Sequence, residues 1–324
     1  MIHKTLLTLV FALMSTFVAA CGSVKTDEPM VIPATQSLPD GLLPDTLRVL
    51  AIGNSYTNDA LALLPFVLQQ VAPRTHVVVG ILYCGGASLD THLRLFKKNR
   101  AYNAYYKWTA GQDGWIKQTH ATPLHALADE HWDWVTLQQV SAMSHDFSTI
   151  SPYLQPMVNQ LRARGYYGKL AWILTPAYPD GSPKLTNGTL KVDGKPVSYT
   201  SDEMYEHIAS CARQVSLTGC VNRVLPCGTA LQNARRTALS QYGTTGQMTH
   251  DWLHLQSGIG MFVESCAAAM ALLNTTFDHC YVDTPLASYS MLSHGKQVGM
   301  TPANQDIAVG CAKSALASPF SVSY

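Results

Sequence analysis

The chain has 324 residues, of which 47% are hydrophobic and 13% are charged. This composition excludes an intrinsically disordered chain and suits one large globular domain with insertions. The formal net charge is +1, and no basic stripe runs along the sequence, so nucleic acid is not expected as a partner.

The N-terminus has the features of an export signal. A positively charged start precedes an apolar run that is short for a membrane span. The run ends in VAAC at residues 18–21, which resembles a bacterial lipobox, the motif whose cysteine becomes the lipid-modified first residue. We therefore predict a lipoprotein signal peptide at residues 1–20 and lipidation of Cys21. An ordinary signal peptide cut before Cys21 is the alternative.

The next segment differs in composition from the rest of the chain. Residues 21–45 are rich in Pro, Ser, Thr and Asp, which predicts a flexible tether. The folded domain then spans residues 46–324. Because buried alkyl chains hold a lipoprotein on a membrane, we expect an exported, cell-envelope lipoprotein at the outer membrane, on its periplasmic or surface face.

Short apolar runs alternate with helical patterns through most of the predicted domain. Strands that alternate with helices form right-handed crossovers, and these give a parallel sheet covered on both faces. The predicted strands are 48–53, 76–83, 134–138, 170–175 and 221–226, and the predicted helices are 58–71, 88–95, 153–164, 202–216, 229–241 and 256–273.

Two insertions interrupt this alternation. Residues 101–131 surround a Gly-rich turn and predict a β-hairpin before the third core strand. Residues 179–201 contain several Gly, Pro, Asn and Asp residues and predict a long loop over the strand ends. The aromatic side chains of the first insertion either stack on sugar faces or pack against the domain. These aromatic residues are Tyr102, Tyr105, Tyr106, Trp108 and Trp115.

Seven of the eight cysteines follow the predicted lipidation site. An exported protein can keep disulfides, and an odd number leaves at least one thiol free. Cys211, Cys220 and Cys227 lie close in sequence, so a bridge could form among them. No Cys-x-x-Cys pair indicates a structural zinc site.

Two distant segments together suggest nucleophilic catalysis. Ser55 follows Gly53 at the end of the first predicted strand, where α/β sheets bind ligands. On its own, a serine after a glycine is more often a turn residue or a helix N-cap. Asp251 and His254 lie far along the chain. With Ser55 they supply a nucleophile, a base and a carboxylate that orients the base.

These segments resemble the SGNH/GDSL hydrolase family, which has its serine after the first strand and a late Asp-x-x-His. The first block is GNSY at residues 53–56, with Asn54 where most relatives have Asp, and the last is DWLH at residues 251–254. The resemblance covers about residues 47–273. It implies the SGNH hydrolase fold, a flavodoxin-like three-layer α/β/α sandwich with a central parallel sheet, here with an inserted hairpin.

The resemblance also implies an oxyanion hole with three donors. One is the N–H of Ser55, and another is a glycine N–H after the second strand. We predict Gly86, with Gly85 as the alternative, although glycine is also the ordinary residue for a tight turn. Where most relatives carry Gly-x-Asn-Asp, this chain has two glutamines. Because carbohydrate acetylesterases in the wider family use Gln there, Gln139 is predicted as the third donor, with Gln138 as the alternative.

The resulting hypothesis is an exported serine esterase that removes acyl groups, above all acetyl, from a carbohydrate or another small ester. It requires no metal and no organic cofactor. A lipase or thioesterase with the same triad is one alternative, and a non-catalytic glycan-binding lipoprotein is another. A metal-dependent hydrolase with His250, Asp251 and His254 as ligands is a third alternative, although the sequence has no further ligand cluster for it.

Overall fold

A computed structural model of the chain describes residue 38 and residues 43–112, 114–283 and 297–324. The predicted signal peptide, Cys21 and most of the predicted tether lie outside the described residues. Leu38 and Leu43, from the end of that tether, pack against the hydrophobic core, and the N–H of Leu38 donates to the C=O of Val71 at 2.8 Å. Within the described residues, no helix combines the length and apolar character of a membrane span.

The centre of the domain is a mostly parallel sheet in the order β4-β3-β2-β1-β5-β6-β9. The five strands from β2 to β9 in that order are parallel to one another. Strand β3 pairs antiparallel with β2, and β4 pairs antiparallel with β3. The parallel strands follow the flavodoxin-like order. The strands are β1 (Thr46–Gly53), β2 (His76–Tyr83), β3 (Ala104–Thr109), β4 (Ile116–Gln118), β5 (Trp134–Leu137), β6 (Lys169–Ile173), β7 (Lys191–Val192), β8 (Lys195–Pro196) and β9 (Arg223–Leu225).

Helices cover both faces of this sheet. The helices are α1 (Ser55–Leu61), α2 (Leu64–Val71), α3 (Leu89–Lys97), α4 (Pro123–Ala128), α5 (Ser151–Arg162), α6 (Ser201–Leu217), α7 (Cys227–Ala234), α8 (Ile259–Leu273) and α9 (Pro302–Ala317).

The two faces have separate hydrophobic cores. One core contains residues of α2, α7, α8 and α9, and the other contains residues of α3, α5 and α6. Along β1, Val49 faces the first core and Leu50 faces the second, as the alternation of a strand requires. The α/β fold class predicted from the sequence is confirmed.

The first predicted insertion forms the hairpin of β3 and β4, which extends the central sheet beyond β2. Its aromatic side chains are at most 6% exposed. They therefore pack against the domain, and stacking of these rings on sugars is excluded by their burial. The second insertion contains a separate two-stranded sheet of β7 and β8.

Several helical predictions need correction. The predicted helix 229–241 ends at Ala234, before a separate 3-10 turn at Ala238–Gln241, and the short helix α4 was not predicted. The predicted helix 58–71 is two helices, because α1 ends at Leu61 and α2 begins at Leu64. Pro65 lies in the first turn of α2, where the missing N–H of proline would be unbonded in any case. The C-terminal helix α9 was not predicted. Its buried face consists mainly of small residues, which give a weak periodic signal.

All seven cysteines after Cys21 lie among the described residues, and all are free thiols. The bridge considered among Cys211, Cys220 and Cys227 is not formed. Cys211 belongs to the core on one face of the sheet and Cys227 to the core on the other face, so the sheet separates them. The thiol of Cys220 instead donates to the side-chain oxygen of Gln155 at 3.1 Å.

Candidate active site

Ser55 is the first residue of α1, directly after β1. Strand β1 lies between β2 and β5, which is the point where the strand order reverses and where open α/β sheets bind ligands. The turn before the helix is fixed by Asn54, whose buried side chain accepts a hydrogen bond from the N–H of Tyr56 at 3.0 Å. The half-buried serine hydroxyl is thus held at the edge of the sheet.

A continuous chain of hydrogen bonds joins three residues predicted from the sequence. His254 Nε2 lies 2.9 Å from Ser55 Oγ, and His254 Nδ1 lies 2.7 Å from Asp251 Oδ2. The tautomer with its hydrogen on Nδ1 fits both contacts, since Nε2 can then accept the serine proton. Ser55, His254 and Asp251 thus supply a nucleophile, a base and an orienting carboxylate in the arrangement of a catalytic triad.

The carboxylate of Asp251 is held by its own loop. Its Oδ1 accepts the backbone N–H of His254 at 2.6 Å and that of Leu253 at 3.0 Å. Burial raises the pKa of Asp251, but the bonds from the side chain and backbone of His254 outweigh that effect, so the pKa lies below its ordinary value. Asp251 is therefore ionised at neutral pH and can orient the imidazole.

The turn after β2 exposes the backbone donor of Gly86. Gly86 is exposed and has a φ of +64°, and its N–H has no hydrogen-bond partner among the described residues. The N–H of Gly85 already donates to Asn103 Oδ1 at 2.8 Å. Asn54 Nδ2 donates to the C=O of Ala87 at 3.0 Å, which ties this turn to the serine turn. The geometry favours Gly86 over the alternative Gly85.

The third predicted oxyanion donor needs correction. The amide nitrogen of Gln139 donates to the C=O of Thr149 at 2.8 Å and lies 3.3 Å from its hydroxyl. The amide oxygen accepts the N–H groups of Leu89 and Val140. Both ends of the Gln139 side chain are therefore used to join the start of α3 to the segment after β5, and its amide is not free to donate to a substrate.

The side chain of the alternative donor, Gln138, is also hydrogen-bonded within the protein. Gln138 Nε2 donates to Asn54 Oδ1 at 2.6 Å, and its side-chain oxygen accepts the hydroxyl of Thr57. Gln138 is buried. Its role in this structure is to hold the N-cap residue of α1 in place, one residue before the nucleophile.

The loop that carries the base has contacts that sequence reasoning missed. Gln247 and Asp180 exchange two hydrogen bonds, of 3.0 and 3.1 Å. The hydroxyl of Ser182 donates to the C=O of Trp252 at 3.0 Å. A Cβ on Gly181 would lie 2.9 Å from the ring of Trp252. The second insertion therefore supports the loop of Asp251 and His254, and no local sequence signal identifies these contacts.

Two buried carboxyl groups, Asp59 and Glu264, and the partly exposed Arg235 interact electrostatically near the triad. Burial raises the pKa of Asp59 to about 7, against a lowering by the N–H of Leu255 and the charge of His254. Burial and the nearby Asp59 also raise the pKa of Glu264, which is fully buried on α8. Burial lowers the pKa of Arg235 to about 10. Because these groups interact, a change in the charge of one of them shifts the pKa of the others.

The three residues considered as metal ligands do lie together. One ligand atom from each of His250, Asp251 and His254 falls within 4.8 Å of the others. Both ring nitrogens of His254 are already hydrogen-bonded, one to Asp251 and one to Ser55. A cation bound there would have to displace one of these bonds, so the geometry fits a serine triad better than a metal centre.

Comparison with known proteins identifies a family. The family model of DUF4886, a domain of unknown function, matches residues 48–285. The crystal structure of a DUF4886 family protein from Bacteroides uniformis ATCC 8492 has 27% identity, covers 86% of this chain and 98% of its own, and has a TM-score of 0.69.

Two further solved structures are similar over parts of the chain. The crystal structure of TesA has 12% identity, covers 68% of this chain and 93% of its own, and has a TM-score of 0.38. A gut microbial diltiazem-metabolizing enzyme has 10% identity, covers 74% of this chain and 48% of its own, and has a TM-score of 0.40. No curated protein matches the sequence. Because the family model spans most of the described domain, the chain belongs to the DUF4886 family.

Proposed function

We propose that this protein is a serine hydrolase of the SGNH type, an esterase that removes acyl groups, above all acetyl, from a carbohydrate. The observation that carries the proposal is the unbroken line of hydrogen bonds from Asp251 through His254 to Ser55. This line lies at the carboxyl edge of the sheet, where its half-exposed members can meet a ligand from solvent.

The mechanism follows from the protonation states that the geometry favours. Ser55 Oγ attacks the ester carbonyl while His254 Nε2 takes its proton, and Asp251 stabilises the imidazolium that forms. The N–H groups of Ser55 and Gly86 donate to the oxyanion. His254 then protonates the leaving alcohol. Water, activated by the neutral His254, hydrolyses the acyl-enzyme and releases the acid and free Ser55.

The distribution of exposed apolar side chains supports a small acyl group on a polar carrier. A long acyl chain would need an apolar groove beside the serine. The large hydrophobic residues that are exposed in the described part of the chain lie on other elements than those that carry the triad and Gly86. They are Ile116, Leu124, Tyr167, Leu217 and Tyr324. Beside the triad, Trp252 and Leu253 are only partly exposed, so no large apolar side chain among the described residues there is fully open to a long acyl chain, which supports an acetylesterase over the lipase or thioesterase alternative.

The experiment is acetate release from a panel of acetylated polysaccharides, with p-nitrophenyl acetate and p-nitrophenyl octanoate as soluble probes. We expect the wild type to release acetate, to prefer the acetyl over the octanoyl ester, and to lose this activity in Ser55→Ala. A preference for octanoate would support the lipase or thioesterase alternative. A wild type that binds glycans but hydrolyses none of these esters would support the glycan-binding alternative.

We further propose that the protein is exported and anchored through a lipid on Cys21. The support is the sequence of residues 1–21 alone, and the membrane would then be its second partner. We expect the native protein to fractionate with membranes and Cys21→Ala to move to the soluble fraction. A mature N-terminus that mass spectrometry finds unmodified would contradict the anchor without affecting the proposed chemistry.

A further inference from the structure

Helix α1 contacts the loop of the base on both sides of His254. The hydroxyl of Tyr56 donates to the C=O of Leu253 at 3.1 Å. Asp59 Oδ2 accepts the N–H of Leu255 at 3.0 Å. Leu253 and Leu255 are the immediate neighbours of His254, so two hydrogen bonds from one helix bracket the residue whose ring must stay in place.

The same helix carries the nucleophile. Ser55 is the first residue of α1, and Tyr56 follows it directly. Asp59 lies four residues after Ser55, about one helical turn further along the same face of the helix. A shift of this helix therefore carries Ser55 and the bracketed loop together. The contact of 2.9 Å between Ser55 Oγ and His254 Nε2 is thereby protected. That matters because a misplacement of about 1 Å can cost on the order of 100-fold in rate.

Asp59 is a costly residue for a purely structural position. It is 2% exposed, and its Oδ1 has no hydrogen-bond partner among the described residues. A buried polar atom without a partner is unfavourable, whereas an apolar side chain would fill this space without that cost. Among the described residues, the one hydrogen bond of the Asp59 side chain is the bond to the base loop.

We propose that Asp59 and Tyr56 are positioning residues of the reaction. They hold the backbone on each side of His254, so that its Nε2 stays within hydrogen-bonding distance of Ser55. The inference rests on the proposed hydrolase function. It adds a second pair of residues, which touch neither the substrate nor the reacting atoms and act through the base.

The test compares Asp59→Ala, Asp59→Asn and Tyr56→Phe in the full-length protein. Asp278→Ala is the matched control, because Asp278 is an exposed aspartate paired with Lys313. Turnover of p-nitrophenyl acetate is measured per active site. Active sites are counted by titration with a fluorophosphonate, which labels only a serine that a base activates. Circular dichroism establishes that each variant is folded.

We expect Asp59→Ala to lower kcat about 10- to 100-fold and Tyr56→Phe to lower it several-fold, in line with the cost of a small misplacement. The KM should change little, because neither residue is placed at the substrate. The rate of fluorophosphonate labelling should fall in parallel with kcat. Asp59→Asn should recover most of the turnover, since its amide oxygen can still accept the N–H of Leu255.

Several results would overturn the positioning role. One is an unchanged kcat in both Tyr56→Phe and a folded Asp59→Ala. Another is an Asp59→Asn as slow as Asp59→Ala, since the bond to Leu255 would then not be what matters. A third is a loss of activity that only reflects fewer labelled sites. A wild type that neither hydrolyses the ester nor reacts with the fluorophosphonate would instead refute the proposed function.

Discussion

The serine and the histidine of the candidate active site reach the same point by different means. Ser55 starts a helix whose remaining residues are all buried, directly after a strand that is paired on both sides. His254 lies on an irregular loop in which Gln247, Met248 and Trp252 have positive φ angles between 47° and 64°. Such angles are strained for residues with a side chain.

This difference shows what holds each half of the site. The position of the serine follows mainly from local structure, because a strand ends and a capped helix begins within a few residues; Gln138 and Ala87 add bonds to the N-cap Asn54. The position of the histidine depends on contacts from distant segments, among them Asp180 to Gln247 and Asp59 to Leu255. The serine side should therefore tolerate most changes outside the bonds to Asn54, whereas the histidine loop should respond to changes in the segments that support it.

The largest effect is expected when the chemistry itself is removed from either side. Ser55→Ala and His254→Ala should each lower kcat by roughly 10⁴- to 10⁶-fold, and the double variant should be little worse, because the members of one catalytic unit are not additive. Steady-state hydrolysis of p-nitrophenyl acetate measures this. If the fold-losses of kcat in the two single variants multiply in the double variant, Ser55 and His254 do not act as one unit.

A smaller loss is expected for the carboxylate on the histidine loop. Asp251→Asn should lower kcat by roughly 10²- to 10⁴-fold, because it disturbs the tautomer and orientation of the imidazole and leaves the attacking atom intact. The measurement is the kcat of p-nitrophenyl acetate hydrolysis by the folded variant. A kcat equal to that of the wild type would contradict the orienting role of Asp251.

The buried carboxyl that joins the two sides should make stability depend on pH. Asp59 has a folded pKa of about 7 against an ordinary 3.8, so its contribution is fully present below about pH 4 and is lost as the pH rises through 7. The difference corresponds to roughly 4 kcal/mol of unfolding free energy.

Urea unfolding at pH 4.5 and pH 7.5 measures this dependence. Compared with the wild type, Asp59→Asn should lose less stability between the two pH values. The titratable groups that face Asp59 are His254, Asp251, Glu264, Tyr56 and Tyr83. These groups remain in the variant, so their own titrations largely cancel in the comparison. Equal losses in both proteins would show that Asp59 has an ordinary pKa.

A change in the second insertion should affect activity through the histidine loop alone. Gly181→Ala would place a Cβ 2.9 Å from the ring of Trp252, at a φ of +82°. We expect about a tenfold loss of kcat, as for a modest misplacement of the base. Gly111→Ala is the matched control, since Gly111 has a φ of +89° and no atom within 4 Å of the added Cβ.

Both glycine variants should lose stability, because each forces alanine into the left-handed region, and Gly181→Ala should lose more, because its Cβ also meets the ring of Trp252. Only Gly181→Ala should lose turnover per folded molecule. Equal activities of the two variants would show that the second insertion does not position the base.

No effect is expected from removal of metal ions. Because Asp251 and Ser55 already use the ring nitrogens of His254, dialysis against a strong chelator should leave ester hydrolysis unchanged. Activity that is lost on dialysis and restored by zinc would instead favour His250, Asp251 and His254 as metal ligands.

The sequence by itself determined the order of the core strands and of most of the helices that cover them, the hairpin, and the residues of the candidate triad. These features depend on short-range patterns: an apolar run such as residues 76–83 forms β2 over those same residues, and Asp251 and His254 are three positions apart. The N–H of His254 donates to Oδ1 of Asp251, only three residues earlier in the same loop.

Only the tertiary structure decided how the polar side chains are used. In the folded structure the amide of Gln139 donates to Thr149, and the aromatic residues of the hairpin are buried. Asp59 accepts a hydrogen bond from Leu255, which lies 196 residues further along the chain. Each buried donor or acceptor bonds to the partner that packing brings within reach. That partner is set by how the layers of the fold meet and not by neighbours in sequence, so the sequence could indicate a serine and its base but not what holds them together.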